Sequence, residues 1–326
     1  MKSLRTVTKR LQILLFAAGA AAFLGSAQAG GDRHPNPGWE FGPAQKLSDV
    51  VNTAAPEGCP IETADGLSLM FASTRATGLG GNDIYVTDRD SVKSPWKTPV
   101  LLPEPINSSS ADFCPTPVLG RSLFFVTDRS TNNGPTAPCG GGDIYLSRQS
   151  PGGQWSEPAM LECYPKGPNF PAYGATVLGA ERSPSLVETW FGTFLFYSST
   201  GLGVNHDIYM SRLGSNGKFG PGQLVKELST PQFNEIMPNV RARDDGSFEI
   251  VFSSDRPTWG KKNEPAFGLQ DGYYARSWWL TGLWSSPINL GSKINTPTND
   301  QRATLSQDGK RLYIGSNNDL YVIDRK

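Results

Sequence analysis

Short runs of apolar residues recur along the chain, each followed by a glycine-rich turn and a second run that opens on an aspartate. The first copy runs from Phe71 to Arg75 and then from Gly80 to Val86. Short apolar runs bounded by turn residues are typical of β-strands. The aspartates that open the second run of the five copies are Asp83, Asp143, Asp207, Asp271 and Asp319. Five copies of one phrase predict a repeat protein made of β-strands.

Two further elements belong to each copy. An aromatic residue begins a short apolar run, at positions Trp39, Trp96, Trp155, Phe219 and Trp284. An acidic residue then opens another strand, and we call these residues the opening acids: Glu57, Asp112, Glu181, Glu235 and Asp300. Asp-Gly pairs such as Asp65-Gly66 mark the hairpin turn that follows. Each repeat therefore predicts four strands.

The chain order predicts how the repeats close. The aromatic run from Trp39 to Leu47 precedes every copy, whereas the last three strands, Ala303 to Ile323, lack an outer strand. Pairing the first run with the last set would close a ring and remove two open sheet edges. We therefore predict an all-β fold, a five-bladed β-propeller over residues 39–326, closed by the N-terminal strand.

The N-terminus is typical of a secretory signal peptide. A basic segment precedes the apolar run Leu11 to Leu24, and Ala27-Gln28-Ala29 supplies a small-residue cleavage site. We expect a signal peptide over 1–29, a flexible lead-in over 30–38, and a periplasmic or secreted product. No later run is apolar enough to predict a membrane span.

Composition narrows the chemistry. The 326 residues contain 30 basic and 30 acidic side chains, so no nucleic-acid partner is indicated. The only histidines are His34 and His206, which argues against a histidine-rich zinc site, and no G-x-S-x-G motif is present. We expect a monomer.

The four cysteines of an exported chain predict two disulfides, for which three connectivities exist. Cys139 and Cys163 lie in neighbouring loop insertions that the propeller would place on one face. Cys59 and Cys114 occupy the same position in adjacent repeats. We therefore predict Cys139–Cys163 and Cys59–Cys114, the second requiring Cα atoms within about 7 Å.

The motifs together resemble the WD40-like PD40 repeat. They are the Asp-Ile-Tyr phrase at Asp83, the Asp/Glu-x-x-Pro opening at Glu57, and the Trp-x-x-Pro-x-x-Leu run at Trp96. That repeat occurs in the propeller of TolB and in bacterial envelope proteins carrying OmpA-type modules. The resemblance implies a propeller and an exported setting, but not one function, because such folds host scaffolds and enzymes alike. TolB's additional N-terminal domain has no counterpart here.

The opening acids are the first candidate site. Propeller geometry gathers the starts of the innermost strands at one mouth of the channel, where five like charges could attract Ca²⁺ or supply a catalytic carboxylate pair. Alternatively, each acid bonds backbone amides within its own blade. The five Asp-Ile-Tyr aspartates are predicted to be structural, accepting hydrogen bonds from the preceding turn and from Arg75, Arg129 or Arg256.

Loop insertions predict a ligand-binding face at the same mouth, because function concentrates in loops. The insertions are Ser130 to Cys139, Cys163 to Ala180 and Trp259 to Gln270. Their aromatic candidates are Tyr164, Phe170, Tyr173 and Trp259, and loop packing is the alternative role for each.

Two functional hypotheses follow. The first is a non-enzymatic envelope protein that binds a protein or glycan at the loop-rich mouth. The alternative is a glycoside hydrolase-like enzyme that uses opening acids in the channel, as some five-bladed propellers do. A calcium-stabilised scaffold is a third hypothesis.

Overall fold

The structure is a computed structural model that describes residues 41–119, 121–129, 139–171, 181–201, 203–256, 266–280 and 282–326. Within these ranges the chain forms 20 β-strands, grouped in five antiparallel sheets of four strands. The predicted signal peptide and lead-in lie outside the described residues.

The strands are numbered in chain order and have four positions within their sheets. The innermost strands are β2 (Glu57–Glu62), β6 (Asp112–Val118), β10 (Arg182–Thr189), β14 (Glu235–Ala242) and β18 (Asp300–Leu305). The second strands are β3 (Ser68–Ser73), β7 (Ser122–Thr127), β11 (Gly192–Ser199), β15 (Phe248–Ser254) and β19 (Arg311–Ser316). The third strands are β4 (Asp83–Asp88), β8 (Asp143–Arg148), β12 (Asp207–Arg212), β16 (Asp271–Ser277) and β20 (Asp319–Asp324). The outer strands are β5 (Val100–Leu101), β9 (Ala159–Met160), β13 (Gln223–Leu224), β17 (Ile288–Asn289) and β1 (Gln45–Lys46).

The five sheets are the blades of a propeller, and we number them 1 to 5 in the chain order of their innermost strands, β2, β6, β10, β14 and β18. Each innermost strand contacts the innermost strand of the next blade, and β18 of blade 5 contacts β2 of blade 1, so that the ring is closed. The predicted five-bladed propeller is confirmed.

Closure joins the two ends of the described chain in blade 5. Strand β1 pairs with β20, with Gln45 opposite Val322 and Lys46 opposite Tyr321. A further bridge pairs Phe41 with Arg325. The predicted pairing of the N-terminal run with the last three strands is therefore confirmed, and it satisfies an edge that would otherwise be open.

The outer strands are shorter than predicted and do not begin at the aromatic residue. In three blades the first residue of the outer strand directly follows a proline, which is Pro99, Pro158 or Pro287. Proline has no N–H to donate, so pairing begins only beyond it. The aromatic ring packs instead: Trp284 is buried, with its ring centroid 6.2 Å from that of Phe196.

The hydrophobic core lies between adjacent blades rather than in one central mass. Strand β7 shows how alternation produces it, since successive side chains of a strand point to opposite faces. Leu123 and Phe125 pack with Ile84 of blade 1, whereas Phe124 packs with Leu195 of blade 3. Both faces of a blade are thus apolar.

In four of the connections between blades, a buried asparagine side chain is hydrogen-bonded to the backbone at the start of a third strand. Asn107 is fully buried; its side chain accepts a hydrogen bond from Ile84 N and donates one to Ile84 O. The equivalent asparagines are Asn52, Asn169 and Asn295. The buried backbone N–H and C=O groups at these strand ends thereby have hydrogen-bond partners.

Buried ion pairs fasten blade 5 to both neighbours. Glu62 of blade 1 accepts hydrogen bonds from Arg311 and Tyr313 of blade 5. Glu249 of blade 4 pairs with Arg325 at 2.9 Å and also with Arg241. Blade 5, which contains both ends of the described chain, is therefore held to its neighbours by buried ion pairs, in addition to the hydrogen bonds of its own sheet.

We predict that Glu249→Gln lowers the free energy of unfolding by about 3–5 kcal/mol, because it leaves buried arginines without their counter-charge. Equilibrium urea unfolding measures the change. Glu162→Gln is the matched control: it breaks an exposed pair with Lys218, which is worth at most about 1 kcal/mol. Equal stability of the two variants would contradict the role given to Glu249.

Candidate functional site

Every innermost strand carries a β-bulge two residues after its opening acid. The register of each ladder shifts at this point, and the bulged residue has a left-handed backbone. The five residues and their φ values are Cys59 (52°), Cys114 (50°), Ser183 (52°), Met237 (58°) and Arg302 (52°). A non-glycine residue pays roughly 1–2 kcal/mol for this conformation. The Asp/Glu-x-x-Pro motif thus marks a bulge, which the sequence reading did not detect.

The bulged residues meet in the centre of the propeller. Cys59 and Cys114 form a disulfide, with 4.9 Å between their Cα atoms. Ser183 donates a hydrogen bond from Oγ to Cys114 Sγ at 3.1 Å. Arg302 reaches across from blade 5 and donates to Thr116 Oγ1 of blade 2 at 3.1 Å. All five bulged residues are buried, so the channel is filled at this level.

The opening acids lie just before the bulges, and all five carboxylates are buried. Each accepts a hydrogen bond from a backbone N–H of the connection that arrives from the previous blade. The donors are Thr53 to Glu57, Ser108 to Asp112, Phe170 to Glu181, Thr230 to Glu235 and Thr296 to Asp300, at 2.6–3.1 Å. Each acid therefore holds an incoming loop against its own blade.

An arginine completes this arrangement in three blades. The ion pairs are Arg75–Glu57 at 3.0 Å, Arg129–Asp112 at 2.5 Å and Arg256–Glu235 at 2.8 Å. The predicted pairing of these arginines with the Asp-Ile-Tyr aspartates is therefore wrong. Those aspartates turn back toward their own turns, which leaves the arginine free to lie over the opening acid.

The contacts of the Asp-Ile-Tyr aspartates stay within their blades. Asp83 accepts hydrogen bonds from the backbone of Leu79 and Gly80, and Asp143 accepts one from Cys139 N. Asp271 is bonded in the same way by Phe267 N and Gly268 N. Asp319 instead pairs with Lys46 of β1 at 2.8 Å, across the closure. Burial raises the pKa of the half-buried Asp207 to about 6.

Two opening acids have strongly raised pKa values. Burial, with a smaller contribution from the charge of Asp143, raises the pKa of Glu181 to about 8. Burial raises the pKa of Glu235 to about 7 against the opposing charge of Arg256. Oε2 of Glu181 has no hydrogen-bond partner among the described residues. Burial thus favours the protonated form of Glu181.

A cavity of about 390 Å³ opens above the filled level, where the innermost strands begin, and we call it the mouth pocket. Every blade contributes a lining residue from its innermost strand: Gly58, Phe113, Arg182, Met237 and Gln301. Neutral polar side chains from the surrounding loops complete the wall: Asn82, Thr298, Asn299, Asn317 and Asn318. Glu57 is the acidic member of the described lining, and its carboxylate is bonded to Thr53, Ser73 and Arg75.

The two aromatic candidates that the structure describes, Tyr164 and Phe170, do not line the mouth pocket. Phe170 is buried and packs against Tyr209, while the partly exposed Tyr164 stacks on Phe170 at 4.8 Å. Tyr173 and Trp259 lie outside the described residues. The Cys139–Cys163 disulfide is present, with 5.6 Å between the Cα atoms, and ties the two loop insertions together. Both predicted cysteine pairings are thus found.

No group of three or more His, Cys, Asp or Glu side chains converges as a metal site in the part of the chain that the structure describes. The opening acids are engaged one by one in their own blades rather than gathered around a common ion. The described residues also contain no helix long and apolar enough to cross a membrane.

Comparison with known proteins shows similarity in fold alone. No protein-family model and no curated protein matches the chain. Among solved structures, a thermostable family-43 glycoside hydrolase is 14% identical, with 86% of this chain and 92% of that one covered and a TM-score of 0.51. The α-L-arabinofuranosidase PaAbf62A from Podospora anserina, in complex with cellotriose, is 11% identical over 88% and 96% of the chains, with a TM-score of 0.53. An N-acetylgalactosamine deacetylase from F. plautii, in complex with blood group B trisaccharide, is 12% identical over 88% and 94%, with a TM-score of 0.51.

The predicted PD40 resemblance is therefore confirmed for the propeller fold, whereas the assignment to that family remains a prediction.

We predict that the melting temperature falls between pH 5 and pH 8. The folded-state pKa of Glu181 is raised from its usual 4.5 to about 8, so its stabilising contribution is complete below pH 4.5 and is lost as the pH rises toward 8. Glu181→Gln should make this decline shallower, as followed by circular dichroism.

Glu188→Gln, an exposed change in the same strand, should leave the decline as in the wild type. An unchanged slope in Glu181→Gln would show that Glu181 is ionised in the folded protein at neutral pH.

Proposed function

We propose that this protein binds a glycan in the mouth pocket. The observation that carries the proposal is a concave site on the propeller axis, built from all five blades and walled by amide side chains. Asparagine and glutamine both donate and accept hydrogen bonds, as the recognition of sugar hydroxyls requires. The volume falls in the range of about 300–1,000 Å³ that small-molecule sites occupy.

The state of the opening acids favours binding over catalysis. A carboxyl group that attacks or protonates a glycosidic bond must reach the substrate, whereas these five accept hydrogen bonds from the backbone of the loops that enter their blades. Three are additionally neutralised by an arginine. Their contacts suit structural support better than chemistry.

Hydrolysis of a glycan is the second candidate. The structural similarity to glycoside hydrolases favours glycan chemistry over a protein scaffold, although identities of 11–14% carry only the fold. Carboxylate catalysis needs one protonated acid and one ionised partner. Glu181, with its raised pKa and an unbonded Oε2 among the described residues, suits the acid best.

We place the protein in the periplasm or the extracellular medium. Its two disulfides support an oxidising compartment. An envelope protein as partner, and a monomeric state, remain predictions.

We predict that the protein binds oligosaccharides, as measured by isothermal titration calorimetry against arabinan-, xylan-, cellulose- and pectin-derived fragments. Asn82→Ala and Asn299→Ala should each weaken binding about fivefold, the effect of losing one hydrogen bond of about 1 kcal/mol. Gln307→Ala is the matched control, since Gln307 lies beyond the other end of β18.

The same samples distinguish binding from hydrolysis. Intact oligosaccharide after prolonged incubation, by mass spectrometry, supports the binding function. Cleaved product that falls by about 100-fold or more in Glu181→Gln would establish the hydrolase candidate instead. Absence of both binding and cleavage across the panel would contradict the proposal.

A further inference from the structure

Arg182 lines the mouth pocket without an ionic partner. It is the first residue of β10, directly after the opening acid Glu181, and it is half-buried. The described residues provide no ion pair and no hydrogen-bond acceptor for its guanidinium. The guanidinium carbon Cζ lies over the ring of Phe113, 5.9 Å from the ring centroid. Arginine remains charged at neutral pH, and a partly desolvated charge is costly unless an anion meets it.

The nearby carboxylates are engaged elsewhere. Glu181 accepts hydrogen bonds from Phe170 N and Ser199 Oγ. Glu57, which also lines the pocket, is paired with Arg75. The protein thus presents the positive charge of Arg182 to the pocket and neutralises its own acids within the blades.

A second arginine adds positive charge beneath the pocket. Arg302 is fully buried at the bulge of β18, and its Nη2 lies 3.3 Å from the carbonyl of Pro115 and 3.5 Å from that of Pro184. Pro184 is two residues after Arg182 in the same strand. Nε and Nη1 of Arg302 have no partner among the described residues. The guanidinium is bonded in part by neutral oxygens, and no carboxylate among the described residues pairs with it.

We propose that the glycan bound in the mouth pocket carries an anionic group, a uronate carboxylate or a sulfate ester, which pairs with Arg182. This inference rests on the proposed glycan-binding function and specifies its ligand. The amide side chains of the wall suit hydroxyl groups, and the unpaired guanidinium suits a planar or tetrahedral oxyanion. An acidic sugar offers both kinds of group on one molecule, whereas a neutral glycan leaves Arg182 desolvated and unpaired.

The test compares pairs of ligands that share a carbohydrate skeleton and differ in charge. Trigalacturonate and its methyl ester share one skeleton, as do a sulfated carrageenan tetrasaccharide and its desulfated form. We expect at least one charged member to bind about tenfold or more tightly than its neutral counterpart by calorimetry, and its affinity to fall as salt is raised from 50 to 500 mM. Whichever pair shows the preference identifies carboxylate or sulfate as the group recognised.

Arg182→Gln should remove this preference, so that the charged member binds within about twofold of its neutral counterpart. Its melting temperature should not fall below that of the wild type, because the guanidinium donates no hydrogen bond to described residues and its charge is partly desolvated. Arg148→Gln, an exposed change at the end of β8, should retain the preference.

Equal affinity for charged and neutral members of both pairs would overturn the inference while leaving the glycan-binding function in place. A charge preference that survives in Arg182→Gln would overturn the assignment of Arg182. Failure of every glycan to bind, charged or neutral, would overturn the proposed function itself, and the inference with it.

Discussion

A buried carboxylate that accepts an amide hydrogen bond from the previous blade's connection is the interaction on which the propeller depends. It occurs once in each blade, at the point where the chain enters the innermost strand. A buried carboxylate is costly unless its lone pairs are met, so the loop that supplies the N–H is held in one position. Because this loop carries the chain from one blade to the next, the bond also fixes neighbouring blades relative to each other.

The functional features lie where the blades differ. The position after the opening acid is Gly58, Phe113, Arg182, Ile236 and Gln301 around the ring. The bulge position likewise changes from two cysteines to Ser183, Met237 and Arg302. At both levels the common backbone therefore carries residues that differ between blades, apart from the two cysteines. Arg182 on blade 3 presents a positive charge to the mouth pocket and Arg302 on blade 5 is buried at the bulge level, while the repeated acids accept hydrogen bonds from the incoming loops.

The sequence predicted the architecture well because period-two patterning and turn residues are local signals. Five copies of the Asp-Ile-Tyr phrase gave the blade number, and the unpaired runs at the two ends gave the closure. The bulges were missed because a left-handed cysteine or serine, such as Cys59 or Ser183, has no local signature beyond the proline that follows. Arg182 was not predicted as a site residue, because the repeated positions carried the predictions and the residue at its position varies between blades. The partner of Arg75 was assigned wrongly because the choice between Asp83 and Glu57 depends on which carboxylate turns toward its own loop.

A crystal structure of the protein soaked with trigalacturonate tests most directly whether the residues that hold the blades are distinct from those that contact the ligand. The sugar should lie in the mouth pocket, with a carboxylate about 2.7–2.9 Å from the Arg182 guanidinium. All five opening acids should still be bonded to their loop amides. A ligand seated elsewhere, or Glu181 or Glu235 turned into the pocket against a glycosidic oxygen, would contradict this distinction.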